Sequence, residues 1–179
     1  QAPGETEKNL SIDTVFTALF DIASPERAKR MLEQMENLLE TKQNGRYGEF
    51  GTLCVYPPYA SAARLVEKSA DPLRYHNGAD WPYLSALYAF AKKLRKMDYL
   101  YPLTRWFEVG MKQGFATPVE YHSPYYPAGG FLQGWSAFAA FVLDHDSADG
   151  VFRQRVSNAG TTLETGNKQK SSTHQKKKK

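Results

Sequence analysis

The stretch YHNGADWPYLSALYAF, residues 75–90, decides the fold class, because it passes from a polar aromatic turn directly into an apolar helix. Pro82 suits the first turn of a helix, where its missing N–H costs no hydrogen bond. Apolar residues around and after it recur at helical spacing. They are Trp81, Leu84, Leu87, Tyr88, Ala91 and Leu94. The stretch predicts a buried helix that begins at the turn, with positive charge near its C-terminus from Lys92 to Lys96.

Two helices are predicted before this stretch, and they form a hairpin. After Ser11, apolar residues recur at the positions of one helix face. They are Ile12, Val15, Phe16, Leu19 and Phe20. Residues 24–26, Ser-Pro-Glu, then provide an N-cap, a first-turn proline and an acid near the positive helix end. Asn44-Gly45 predicts the end of the second helix. The connection at Ala23-Ser24 is short, so the two helices should be antiparallel neighbours.

Two more helices are predicted after the turn helix. One runs from about Asp98 to Lys112 and stops at Gly114. Its inward residues are Leu103, Trp106, Phe107 and Met111. The last helix, FLQGWSAFAAFVLDH at 131–145, is apolar almost all round, which predicts that it is buried on every side. A short helix at 61–68 and a short strand at 52–56 are also indicated.

Two long loops and the turn at 75–83 carry most of the unusual side chains. Residues 45–59 contain three glycines, two adjacent prolines and four aromatic residues, and residues 115–130 form a second aromatic loop. Long ordered loops of this kind are more often functional than not. We therefore predict an all-α helical toroid in which these loops gather at one end around a pocket.

The side chains of these loops favour a carbohydrate ligand. Flat aromatic faces suit the C–H faces of sugar rings, and amides and carboxylates suit their hydroxyls. The loops have no Gly-rich phosphate cradle and only two arginines, Arg46 and Arg74, which argues against a nucleotide. The aromatic residues are Tyr47, Phe50, Tyr56, Tyr59, Tyr75, Trp81, Tyr83, Tyr121, Tyr125, Tyr126 and Trp135, about half of which we expect in the core. The polar residues are His76, Asn77, Asp80, Glu120, His122 and Gln133.

The charge of the chain is concentrated in its tail. The formal net charge is +4, but residues 163–179 carry six lysines against Glu164, so residues 1–162 are nearly neutral. The globular part therefore gives no reason to expect a nucleic-acid partner. A polar Lys-rich tail cannot bury enough apolar surface to fold, so residues 151–179 are predicted to be disordered, as are residues 1–10. Residues 11–150 form the predicted domain. A localisation or nucleic-acid role for the tail alone stays open.

Cys54 is the single cysteine, which excludes an intrachain disulfide and a thiolate zinc site. No apolar run approaches the roughly 20 residues that a bilayer span requires, so no membrane partner is predicted. The polar start QAPGETEKNL lacks an initiating Met. We expect a processed product or a piece of a longer protein, and the compartment stays open.

The segments YHNGADWPY (75–83), PVEYHSPYYPAGG (118–130) and LQGWSAFAAF (132–141) resemble the last third of the six-hairpin (α/α)6 glycoside hydrolases. The similarity is greatest to the catalytic domain of glycogen debranching enzymes (amylo-α-1,6-glucosidases). Related motifs occur in mannosylglycerate-hydrolase-like enzymes, processing α-glucosidases and trehalases. The resemblance covers roughly residues 11–145. It implies a partial (α/α)6 toroid of about six helices in antiparallel hairpins that hydrolyses O-glycosidic bonds, with α-glucosidic bonds favoured, in an oligosaccharide or polysaccharide without cofactor or metal.

The resemblance also implies roles for individual residues. Glu120 matches the general base that activates water, and an inverting enzyme needs a second carboxyl group about 6.5–9.5 Å away to protonate the leaving oxygen. The family's general acid is an aspartate upstream of these residues, so the chain alone is predicted to be inactive. The implied substrate-binding residues are Tyr75, His76, Asn77, Asp80, Trp81, Tyr121 and Trp135.

Several of these residues also have a structural interpretation. Asp80 lies two residues before Pro82, which favours an N-cap or a sugar contact over a role as the acid. Asn77 before Gly78 suits a left-handed turn. Trp135 either lines the pocket or packs in the core. No short ligand spacing around the histidines favours a metal site.

A closed barrel of this family needs twelve helices, and the sequence offers about six. The inward faces of half a toroid would be exposed, so a partner is expected, either the missing N-terminal half of the barrel or a second copy. Two other functions stay open. One is a non-catalytic carbohydrate-binding or interaction module derived from the barrel, and the other is a helical scaffold that dimerises through its open face.

Overall fold

The computed structural model describes residues 8–60, 69–115 and 117–144. These residues are mostly helical, with five α-helices and one small antiparallel sheet of two strands. The helices are α1 (Phe16–Leu19), α2 (Pro25–Leu39), α3 (Pro82–Leu94), α4 (Leu100–Lys112) and α5 (Phe138–Asp144). The strands are β1 (Leu10–Ser11) and β2 (Val55–Tyr56). The predicted helical class is confirmed at this level. The predicted helix at 61–68 and the predicted disorder of residues 1–7 and 151–179 lie outside the described residues.

The sheet moves the start of the domain before residue 11. Leu10 pairs with Tyr56, and the side-chain amide of Asn9 donates to the Pro57 carbonyl at 2.6 Å. The prediction of disorder through residue 10 is therefore wrong for Leu10. The predicted strand at 52–56 is confirmed at its second half, where β2 lies.

Helix α2 begins as its cap signals predict. The backbone N–H of Arg27 donates to Ser24 Oγ at 3.4 Å, and Pro25 occupies the first turn. α2 packs against α1, which is a single turn that continues a 3-10 turn over Ile12–Val15. The short connection therefore produces the helix neighbours that the sequence predicted.

Helix α2 ends five residues before the predicted Asn44-Gly45 stop. Glu40 takes an extended backbone and pairs with Thr52, which draws the chain out of the helix. Asn44 still serves the helix end, because its side-chain amide donates to the Leu38 carbonyl at 2.9 Å. That carbonyl has no partner within the helix, so the amide satisfies it.

Helix α3 lies at the centre of the described fold and packs against α4, α5 and the 3-10 turn before α1. Its buried face is wider than the predicted stripe, because it adds Ser85, Ala86, Ala89 and Lys92 to Tyr88 and Ala91. Helix α4 buries Leu103 and Trp106 as predicted, but Met111 is half-exposed. The alanines on α3 allow neighbouring helices to approach on both sides.

A buried charged network joins α2 to α3. Lys92 Nζ lies 2.6 Å from Glu40 Oε1 and 3.0 Å from Glu36 Oε2, and both Lys92 and Glu40 are fully buried. The Tyr88 hydroxyl donates to Glu40 Oε1 at 3.1 Å. Lys42 Nζ lies 3.2 Å from Glu40 Oε2, as an ion pair rather than a well-formed hydrogen bond. The sequence correctly placed Lys92 near the C-terminus of α3, but helical periodicity did not predict that its side chain is buried.

The last predicted helix differs most from its prediction. Residues 131–145 were expected to form one helix buried on every side, but the described part begins with a bridge from Phe131 to Val119 and a 3-10 turn at Gly134–Ala137. Only then does α5 begin, and it buries Val142 against α3. The exposed apolar residues of this segment are Phe131, Leu132, Trp135, Phe141 and Leu143. Its apolar composition therefore does not bury it within the described part of the chain.

Across the described ranges, no helix has both the length and the apolar character that crossing a bilayer would require.

Candidate functional site

The two aromatic loops and the turn at 75–83 meet in the structure. The backbones of Asp80 and His122 exchange two hydrogen bonds of 2.9 and 2.7 Å, which join the turn to the second loop. The hydroxyl of Tyr125 donates to the Tyr47 carbonyl at 3.1 Å, which joins the second loop to the first. These contacts bring most of the predicted site residues into one region.

Four aromatic rings of this region form a contiguous group, which we call the ring cluster: Tyr75, His76, Trp81 and Tyr121. The imidazole of His76 stacks on Trp81 with ring centroids 4.4 Å apart and an interplanar angle of 4°. Tyr75 meets Trp81 and Tyr121 edge to face, with centroids 5.1 and 5.4 Å apart. Trp81 and Tyr121 are buried and His76 is exposed. His76 therefore presents the outer face of the ring cluster to solvent.

The backbone conformation of the turn sets the orientation of these rings. Tyr75 has a left-handed backbone, with φ of 48°, and its carbonyl accepts a hydrogen bond from Trp81 Nε1 at 3.2 Å. A non-glycine residue in this region is uncommon and costs energy, so the surrounding contacts must hold it. The predicted left-handed position was Asn77, and that expectation is wrong.

Glu120 lies beside the ring cluster on a short antiparallel ladder. Its backbone N–H donates to the Gly130 carbonyl at 2.8 Å, and the N–H of Gly129 donates to the Tyr121 carbonyl at 2.9 Å. The N–H of Gly130 also donates to Glu120 Oε2 at 3.3 Å. The carboxylate is half-buried and lies across two residues without side chains, so its other face is open. An open carboxylate next to flat rings suits a polyhydroxylated ligand.

Burial and nearby charges shift the pKa values of two titratable neighbours of Glu120. Partial burial lowers the pKa of His76, and the negative charge of Glu120 opposes that effect. Burial raises the pKa of Tyr121, and the guanidinium of Arg74 opposes that effect. Arg74 pairs with Asp71 at 3.3 Å, and sequence reasoning gave it no role at this site. No local signal marks it, because its position depends on the fold of the turn.

Asp80 is fully buried, so its carboxylate has no open face for a sugar. Its Oδ2 accepts the Thr52 N–H at 2.7 Å, and its Oδ1 accepts the Ser85 hydroxyl at 2.6 Å. Burial raises the pKa of this carboxyl to about 7. The helix N-cap is Trp81, with no side-chain cap bond, so the prediction that Asp80 caps α3 is wrong. Asp80 instead ties the turn to the first loop.

Asn77 and Trp135 are not part of the ring cluster. Asn77 is fully buried, and its amide bonds the backbone of Tyr59 and the carbonyl of Ser69 at 2.6 to 3.3 Å. These contacts join two chain segments, and they use both the oxygen and the nitrogen of the side-chain amide. Trp135 is 52% exposed, so it does not pack in the core.

Within residues 8–60, 69–115 and 117–144, no three His, Cys, Asp or Glu side chains come together in a group that could hold a metal ion. Cys54 is buried, and burial raises the pKa of its thiol to about 12, so it is a poor nucleophile.

Comparison of the chain with protein-family models, curated proteins and solved structures gives no match.

Gly129 is expected to be essential to the geometry of Glu120. A Cβ at this position would lie 2.6 Å from Tyr121 Cδ1 and 2.7 Å from Glu120 Cβ. Gly129→Ala should therefore lower the free energy of unfolding by about 1–3 kcal/mol through overpacking, measured by urea denaturation. Gly134→Ala is the matched control, because a Cβ there meets nothing within 4 Å. Equal losses in the two variants would contradict the steric explanation.

Proposed function

We propose that this chain supplies the base carboxylate and the aromatic wall of a glycoside hydrolase site, with Glu120 as the general base. The observation that carries the proposal is the open carboxylate of Glu120 beside the ring cluster. The position of a Cβ on Gly129 lies within 3 Å of both Tyr121 Cδ1 and Glu120 Oε2, so ring and carboxylate are neighbours. The resemblance of residues 75–83 and 118–130 to the (α/α)6 glycosidases supports the same role.

The proposed chemistry uses these residues in order. A sugar ring rests against the exposed face of the ring cluster, where its C–H groups meet His76. A water oxygen attacks the anomeric carbon and gives its proton to Glu120, while the bond to the glycosidic oxygen breaks. That oxygen must receive a proton from a second carboxyl group in an inverting site.

The second carboxyl group is expected outside the described residues. Within them, Asp80 is the other carboxylate of the turn region, and both of its oxygens are occupied in the interior. We propose that the missing half of a partial (α/α)6 toroid supplies the acid. The exposed apolar residues of 131–143 are where such a partner would gain buried area.

The proposal can be tested with a substrate that needs no acid. In α-D-glucosyl fluoride, fluoride leaves without protonation, so a site with only the base can hydrolyse it. We expect the chain to release fluoride from this substrate, measured with a fluoride electrode, and to leave maltotriose intact. Glu120→Gln should reduce fluoride release on the order of 100-fold or more, since a positioned base contributes about that much.

Two control variants test whether the effect is specific to Glu120 or follows from the loss of any carboxylate. Glu33→Gln removes an exposed carboxylate on α2, and Asp80→Asn removes the buried one; both should leave fluoride release within twofold of wild type. Fluoride release that is insensitive to Glu120→Gln, or absent from the wild-type chain, would overturn the proposal.

A carbohydrate-binding module is the second candidate, and the observation that favours it is that both oxygens of Asp80, the carboxylate of the turn, are hydrogen-bonded in the interior. This reading predicts maltotriose binding that survives Glu120→Gln, without fluoride release. Titration monitored by tryptophan fluorescence distinguishes the two, because Trp81 lies in the ring cluster.

A further inference from the structure

Gln133 lies over the same bare backbone as Glu120. The position of a Cβ on Gly130 is 3.0 Å from Gln133 Nε2 and 4.0 Å from Glu120 Oε2. The amide nitrogen and the carboxylate oxygen therefore both lie within 4.0 Å of one point beside the backbone. An amide N–H donates and a carboxylate accepts, so the two groups are complementary.

The backbone around Gln133 is held firmly. The N–H of Gln133 donates to the Pro118 carbonyl at 3.2 Å, and the Ser136 hydroxyl donates to the Val119 carbonyl at 2.6 Å. Leu132, which precedes Gln133, is left-handed with φ of 59° although its side chain is 77% exposed. A strained residue that buries little apolar surface of its own is typical of a segment whose conformation serves a site.

The amide is also available. In the described parts of the chain, the Gln133 side chain makes no hydrogen bond to protein, and the residue is only partly buried. A long polar side chain loses rotamer freedom when it is ordered, and a bound hydroxyl would offset that cost. A fixed backbone with a free donor next to a fixed acceptor is the arrangement that recognises a hydroxyl group.

We propose that Gln133 contacts the saccharide, donating its Nε2–H to the sugar hydroxyl nearest Glu120. This inference rests on the proposed function, because it places the amide in the same site. It makes Gln133 a residue that determines which sugars fit: a ring with no hydroxyl at that position leaves the amide and the carboxylate without a partner, and is bound less tightly.

The test uses α-D-glucosyl fluoride and compares KM for fluoride release. Gln133→Met keeps the length of the side chain but removes the donor, and it should raise KM about 3- to 10-fold, as loss of one neutral hydrogen bond predicts. Gln34→Met, at an exposed position on α2, is the matched control and should leave KM unchanged.

A second variant supplies a readout that a structural role would not move. Gln133→Glu places a carboxylate that cannot donate when ionised, so KM should be high at pH 8. Near pH 5 the introduced carboxyl group, beside the negative charge of Glu120, is partly protonated and donates again, so KM should return toward the wild-type value.

The outcomes separate the two proposals. If wild type releases fluoride in a Glu120-dependent way but Gln133→Met keeps KM within twofold of wild type, the role of Gln133 is wrong and the general base stands. The same conclusion follows if Gln133→Glu has the wild-type pH profile. If the wild-type chain releases no fluoride, the proposed function fails and the inference fails with it.

Discussion

Replacing Lys92 by methionine is expected to lower the free energy of unfolding by about 3–5 kcal/mol, because it leaves the buried carboxyl group of Glu40 without its closest partner in the core. The ammonium group lies 2.6 Å from Glu40 Oε1, and both side chains are fully buried. Lys42 pairs with the other oxygen of Glu40 but remains in contact with solvent, so it compensates only in part. Urea denaturation of the variant, followed by circular dichroism, measures the loss.

Two further variants decide whether an unpaired charge is the cause. Lys29→Met removes an exposed lysine whose pair with Glu33 spans 4.0 Å, and it should change stability by less than about 1 kcal/mol. The double variant Lys92→Met/Glu40→Met removes both buried charges. It should recover most of the loss, since apolar replacements of a buried pair are often neutral or stabilising. A double variant no more stable than Lys92→Met would show that packing, not charge, dominates.

The Lys92 network shows what helical periodicity does not predict. The sequence correctly placed Lys92 in the last turn of α3, where a positive charge is favourable at the surface. Whether the side chain meets solvent or a carboxylate depends on Glu40, which is 52 residues away. No local pattern contains that information, because it arises only when α2 and α3 pack together.

The prediction for the final segment, residues 131–145, is wrong for a related reason. An apolar composition on all sides predicts burial, but burial requires something to pack against. Around α5 the described chain offers α3 for one face, and Phe141 and Leu143 remain about half-exposed. The apolar composition therefore predicted a helix correctly, but it predicted the wrong start for that helix and the wrong degree of burial.

The candidate site was predictable to the extent that its residues are close in sequence. His76 and Trp81 stack because one turn holds both, and Glu120 joins Tyr121 as its neighbour. The amide of Asn77 and the carboxyl group of Asp80 are groups that bind sugars in other sites. Here, however, their polar atoms join loops. Which role a polar side chain takes depends on the segments that reach it, and these come from distant parts of the chain.

The buried pair Asp80 and His122 predicts a pH dependence of stability that is visible only when one member is removed. Burial raises the pKa of Asp80 from 3.8 to about 7, so the folded state holds a proton that the unfolded state has lost in this window. Stability therefore falls as the pH rises from about 4 to 7, by about 4 kcal/mol. Burial lowers the pKa of His122 from 6.5 to about 4, so stability rises between these values, by about 3 kcal/mol.

The two effects have opposite signs over nearly the same range, so in the wild-type chain they largely cancel. The other titratable neighbours of Asp80 do not interfere, because burial raises the pKa values of Cys54 and Tyr101 to about 12 and both stay protonated. Asp80→Asn keeps an acceptor for the Thr52 N–H and removes the titration. Relative to wild type, its unfolding free energy should increase by about 4 kcal/mol between pH 4 and pH 7.

The opposite variant must give the opposite slope. His122→Gln removes the histidine titration, so its unfolding free energy relative to wild type should decrease by about 3 kcal/mol from pH 4 to pH 6.5. Urea denaturation at half-unit pH intervals measures both differences, and Asp80→Asn/His122→Gln should show a difference from wild type that varies little with pH. A flat difference for Asp80→Asn alone would mean that Asp80 stays ionised in the folded chain. Its carboxylate would then be held by the Ser85 and Thr52 hydrogen bonds strongly enough to offset burial.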